Sequence, residues 1–76
     1  MRILIAEDQK DLNKVLTKKL TAEGYSVDSC FDGEEALDFL NMAQYDGVIL
    51  DIMMPRLDGL SVVKHMRASG DATPVL

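Results

Sequence analysis

Glu7, Asp8 and Asp51 are the residues of this sequence whose types and settings can do chemistry. Glu7 and Asp8 follow the apolar run "RILIA", and Asp51 interrupts "GVILDIMMP" where another aliphatic residue would be expected. If the two segments are neighbouring strands, three carboxylates meet at one rim. Anions that close repel one another and raise their pKa values unless a cation joins them, so the trio asks for a hard ion such as Mg2+. Mg2+ takes one or two protein carboxylates, keeps several waters and leaves positions for phosphate oxygens. An Asp carboxylate is also a nucleophile toward phosphorus. Asp51, at the tip of a rigid apolar strand, is the better attacker, and Glu7 and Asp8 are the better metal ligands. Taken singly, Glu7 or Asp8 reads better as a helix cap or a solvated loop residue. Only their combination points to a site.

That combination requires particular elements. Residues 2–6 form a short apolar run typical of a central parallel strand. From Asp11 to Glu23, Leu12, Val15, Leu16 and Leu20 recur at helical spacing, and Gly24 supplies the stop. "YSVDSCF" alternates like a strand, and "DGEEALDFLNMA" predicts a helix opened by Asp32 with Ala36, Leu37, Phe39 and Leu40 inward. "YDGVILDI" predicts a third strand. Asp58 then caps a helix that carries Leu60, Val63 and Met66 inward and ends near Gly70, and "TPVL" begins a fourth strand. The pattern β-α-β-α-β-α-β predicts an α/β fold, a doubly wound parallel sheet with helices on both faces. Every strand of such a sheet delivers its carboxyl end to the same edge, and ligands bind where the strand order reverses. The flavodoxin-like order places strands one and three side by side there.

Composition sets the limits. A chain of 76 residues is one small domain that buries only about 60% of its unfolded surface. Hydrophobic residues at 47% and charged residues at 28% give a globular balance. The net charge of -5, with no basic stripe, argues against direct contact with nucleic acid or an anionic membrane by this segment. Cys30 is the only cysteine, which excludes an internal disulfide. With no signal peptide and no apolar run of about 18 residues, the expectation is a cytoplasmic protein. Cys30 is expected in the core, His65 and Lys10 on the surface, and Met42, Met53, Met54 and Met66 as core and loop filling. Pro55 and Gly59 are expected to shape the backbone and Asp58 to cap a helix.

In order and spacing, "ILIAEDQKDLNKVL", "EGYSV", "DGEEAL", "YDGVILDIMMPRLDGL" and "TPVL" resemble the amino-terminal part of a response-regulator receiver (CheY-like) domain of two-component systems. The most specific features are Asp51 followed by Met54-Pro55 and then Asp58-Gly59. The resemblance implies that Asp51 is the phosphoacceptor, Asp8 a direct Mg2+ ligand, Glu7 a ligand through water, and the backbone carbonyl of Met53 a further ligand. It also implies a phosphohistidine on a sensor histidine kinase as donor, docked largely on the helix from Asp11 to Glu23. The opening "MRILIAEDQ" and "DIMMPRLDGL" are most similar to receivers that precede a winged-helix DNA-binding domain of the OmpR/PhoB type. DNA contact would then belong to an effector domain outside this segment.

A complete receiver resembles five strands and five helices over roughly 120 residues. This sequence reaches only the start of strand four, a partial receiver domain over residues 1–76. The Ser or Thr after strand four and the Lys after strand five are not in it, so slow or absent phosphorylation of the segment is expected. A bare edge near "TPVL" predicts a homo-oligomer. Two other classes remain open at this point. One is a self-assembling fragment without signalling activity. The other is a phosphatase with an Asp nucleophile, against which Met53 stands, since haloacid-dehalogenase-like enzymes resemble an Asp-x-Asp pattern.

Overall fold

Ile3, Leu4, Ile5 and Ala6 are all buried, which requires a central strand with a layer on each face. The computed structural model describes residues 1–76 and places them in β1 (Arg2–Ala6). The chain continues through α1 (Lys10–Ala22), β2 (Ser26–Cys30), α2 (Gly33–Met42), β3 (Gly47–Leu50) and α3 (Gly59–Ala68). The three strands are parallel in the order β2-β1-β3, with Ile3 opposite Val27 on one side and Gly47 on the other. The chain therefore steps outward from β1 to β2 and back past β1 to β3. Right-handed crossovers in opposite directions put their helices on opposite faces of the sheet. Accordingly, α1 packs on β1 and β2, while α2 packs on α3 and β1.

The core follows the two-residue period of β1. Leu4 and Ala6 join Cys30, Ala36, Tyr45, Val48, Val62 and Met66 in one cluster, and Ile3 and Ile5 turn to the face that α1 covers. Leu4, Ile5, Val48 and Val62 are essentially inaccessible, and each contributes roughly 1.5–3 kcal/mol by leaving water. Burial pushes the Cys30 thiol up to about 12, so it is a core residue rather than a nucleophile.

Both helix caps foreseen in the sequence are present. Asp32 accepts from the Glu35 N–H at 2.9 Å, and Asp58 accepts from the Ser61 N–H at 2.8 Å. Gly24 and Gly70 end α1 and α3 at positive φ. The predicted inward stripes need correction. On α1, Leu12 and Val15 are exposed and Asn13 is buried; on α3, Leu60 is exposed, Val63 is half-buried, and Val62 takes the core position with Met66. Met42 is exposed rather than filling space. "TPVL" does run beside β3: the Val48 N–H donates to the Pro74 carbonyl at 2.9 Å, and the Leu76 N–H donates to the Val48 carbonyl at 2.8 Å. The Val75 N–H and carbonyl find no partner. No helix is long and apolar enough to cross a membrane.

The amino edge of the sheet is stapled by polar groups. Arg2 pairs with Asp28 at 2.8 Å and lies 5.2 Å from the centre of the Tyr45 ring, and the Tyr45 hydroxyl donates to Asp28 at 2.6 Å. The Tyr45 bond, with help from Arg2, holds the Asp28 carboxyl below its ordinary 3.8 despite partial burial, and burial beside Asp28 pushes Tyr45 from 10.0 to about 12. A lowered acid stabilises the fold above its unfolded value, and the effect is lost as pH falls below about 4. The raised phenol stabilises it below pH 10, and the effect is lost between pH 10 and about 12. We expect Tyr45→Phe to cost about 1 kcal/mol at neutral pH and to flatten the alkaline limb. Urea titrations across pH check this, and an alkaline limb as steep as wild type would contradict it.

Candidate functional site

The ladder carries the acids to the edge. Beyond the last β1–β2 pair, the Glu7 N–H donates to the Cys30 carbonyl at 3.1 Å, and beyond the last β1–β3 pair the Asp51 N–H donates to the Ala6 carbonyl at 3.0 Å. Glu7, Asp8 and Asp51 thus leave adjacent strands at the reversal point. Each offers a carboxylate oxygen, and these oxygens lie within 4.8 Å of one another. The sequence predicted this convergence.

Glu7 is 8% exposed, Asp51 is half-buried and Asp8 is exposed. Burial first, then the Asp51 and Asp8 charges, push the Glu7 carboxyl above its ordinary range, and the Gln9 N–H, donating to it at 3.0 Å, opposes this. None of the salt bridges, Arg2–Asp28, Arg56–Asp32 or Arg56–Glu34, reaches the trio. The chain supplies the site with three hard oxygen donors and no cation. Oxygens at this separation fit one Mg2+ with some ligands direct and others through water.

Around Asp51 the backbone is packed against helix starts. Gly59, the first residue of α3, lies so close that a Cβ would sit 2.2 Å from the Asp51 carbonyl oxygen, and its N–H donates to the Ile52 carbonyl at 2.9 Å. Gly33, the first residue of α2, is pressed as tightly on the Leu57 carbonyl, leaving 1.9 Å for a Cβ. Between them Arg56 adopts φ 70 while its guanidinium reaches toward Asp32 and Glu34. Met53 joins the site through its backbone: its N–H donates to Asp51 Oδ1 at 3.3 Å, and its side chain is exposed. Ile52, Met54, Asp58 and Leu60 line an open groove beside Asp8. Lys10 lies on the surface at the start of α1. Gln9 and Asn13, which hold the Glu7–Asp8 turn, were not singled out in the sequence, because a backbone donor and a buried amide leave no hydrophobic or motif signal.

With this geometry in place, similarity decides the family: the model of the response regulator receiver domain matches residues 3–76. The chain belongs to the response regulator receiver domain family. This receiver is 45% identical over 76 residues to response regulator MprA of Mycobacterium avium, covering 100% of this chain and 33% of that protein. It is 43% identical to the transcriptional regulatory protein DltR of Streptococcus agalactiae, covering 100% of this chain and 34% of that protein. The receiver chain therefore spans about a third of the length of these curated relatives. Among solved structures, response regulator TrrA from Thermotoga maritima in complex with Mg2+–BeF matches with a TM-score of 0.91 at 38% identity, over 97% of this chain and 64% of that one. The fold is the CheY-like receiver fold. Receiver domains are regulatory modules that take phosphate from histidine kinases and bind Mg2+ at an acidic pocket.

Proposed function

We propose that this chain is the phosphoacceptor module of a response regulator, with Asp51 receiving the phosphoryl group of a sensor histidine kinase. The convergence of Glu7, Asp8 and Asp51 without a protein cation is the observation that carries this reading. Asp8 is assigned as a direct Mg2+ ligand, Glu7 as a ligand through water, and the Asp51 carboxylate and Met53 carbonyl as the remaining protein oxygens. Bound Mg2+ offsets the repulsion between the anionic carboxylate and the anionic phosphoryl group.

The protein's part is positional. An Asp51 oxygen attacks phosphorus in line as the bond from phosphorus to the donor imidazole nitrogen breaks, and the imidazole leaves with the electron pair. Asp51 is fit for this because the β3 ladder and Gly59 fix its backbone while its side chain stays accessible. Modification is regulatory, and we assign the output to DNA binding by an effector domain, as DltR's description as a transcriptional regulatory protein suggests. A cytoplasmic location follows from the kinase partner. The test is Mg2+ titration with and without beryllofluoride, followed by NMR. Shifts centred on Glu7, Asp8, Asp51 and Met53 are expected, and shifts scattered over surface acids such as Asp38 and Glu23 would sink the reading.

A further inference from the structure

We propose that Asn13 is the positioning residue of the acid pair, its side-chain amide holding the Glu7–Asp8 peptide so that both acids face Asp51. This rests on the site reading above and goes beyond the ligands themselves.

Asn13 is 2% exposed on the first turns of α1, in a stripe with Leu16 and Leu20 where a hydrophobe would satisfy the core. A buried amide is costly unless it is hydrogen-bonded, and this one is fully used. Its Nδ2 donates to the Glu7 carbonyl at 3.1 Å and to the Cys30 carbonyl at 2.9 Å. The Thr17 hydroxyl donates to its Oδ1 at 3.3 Å. Two carbonyls can only accept, so the amide has one workable orientation.

The place of these bonds gives them a role at the site. The Glu7 N–H already donates to the Cys30 carbonyl at 3.1 Å, so both peptide groups flanking Glu7 are tied to the end of β2, one directly and one through Asn13. No other donor reaches the Glu7 carbonyl. That carbonyl belongs to the peptide joining Glu7 to Asp8, so its orientation sets the direction in which both side chains leave the chain. Groups that orient metal ligands in this way are worth 10–100-fold in metal affinity.

A purely structural staple between α1 and the sheet would affect stability alone, so metal affinity separates the two roles. Asn13→Leu keeps the branched heavy-atom shape and removes the donors. At a temperature where circular dichroism shows full folding, its Mg2+ Kd is expected to rise about tenfold. Tyr45→Phe, which loosens the opposite edge, should leave the Kd within twofold. In the wild-type chain the Asn13 side-chain NH2 signals are expected to shift with Mg2+ on the same isotherm as the Asp8 amide, a readout that needs no variant to fold. An Asn13→Leu Kd within twofold of wild type, or unmoved Asn13 NH2 signals at saturation, overturns the proposal and leaves the site reading intact. A wild-type chain that shows no Mg2+ response overturns both.

Discussion

The Asp51→Asn chain is expected to lose beryllofluoride binding, to bind Mg2+ at least tenfold more weakly, and yet to be more stable without metal, by about 1 kcal/mol. The opposite signs come from one geometry. Three carboxylates whose oxygens lie within 4.8 Å repel one another, and the fold bears that repulsion with no cation of its own. Removing the Asp51 charge also removes one of the causes that raise the Glu7 carboxyl. Solvent screens the exposed Asp8 and keeps the gain near 1 kcal/mol rather than the several that a dry interior would give. The substitution keeps Oδ1 as an acceptor for the Met53 N–H, so the loop has no reason to move. At free concentration c, Mg2+ stabilises a chain by RT ln(1 + c/Kd), so added metal should restore the order, with the tighter-binding wild type overtaking the variant. Urea titrations with and without Mg2+ read both effects. A variant less stable than wild type without metal would show that Asp51 serves the fold rather than the site.

The site acids were legible in the sequence because their type conflicts with their place. A carboxylate after "RILIA" or "GVIL" sits where burial is expected, and parallel topology brings both strand ends to one edge. Both Asp caps and the beginning of a fourth strand were legible from cap chemistry and hydrophobic period, whereas the strand order was an expectation taken from the flavodoxin-like fold. The α2 face was legible as well, since Ala36 lies in the core and Leu37, Phe39 and Leu40 pack against it; the faces of α1 and α3 were legible only in part. In α1 the inward stripe is the buried Asn13 with the half-buried Leu16 and Leu20 rather than Leu12 and Val15; in α3 the buried stripe is Gly59, Val62 and Met66 rather than Leu60 and Val63. In α2 only the buried Gly33 at the helix start was not foreseen. Each helix starts at the carboxyl edge of the sheet, so before it reaches the core its first residues meet the backbone of that edge and its loops. There the fold needs an amide donor or the absence of a side chain, and neither registers in a search for hydrophobic spacing.

Gly59→Ala tests that connection between helix start and site. In an exposed helix the change would be favourable, by up to about 1 kcal/mol. Here the new methyl would lie 2.2 Å from the Asp51 carbonyl oxygen and 3.0 Å from the Asp51 carbonyl carbon and Ile52 Cα, all backbone atoms that no rotamer change can move aside. Overpacking of this kind costs about 1–3 kcal/mol or more, so the clash wins and a net loss of about 2 kcal/mol is expected. Relief must come from moving α3 away from the end of β3, which draws Asp51 and Met53 out of register with Glu7 and Asp8. Mg2+ affinity should therefore fall about tenfold together with stability. Gly24→Ala is the counterpart. Gly24 has φ +96 with nothing within 4 Å of a Cβ, so that change costs about 1–2 kcal/mol of backbone strain at the far end of α1 and should leave Mg2+ binding unchanged. The decisive comparison is between the two variants at equal fractions folded. A Gly59→Ala chain as stable as wild type, or one that binds Mg2+ as tightly as Gly24→Ala, would mean that the close approach of α3 to Asp51 does not set the geometry of the site.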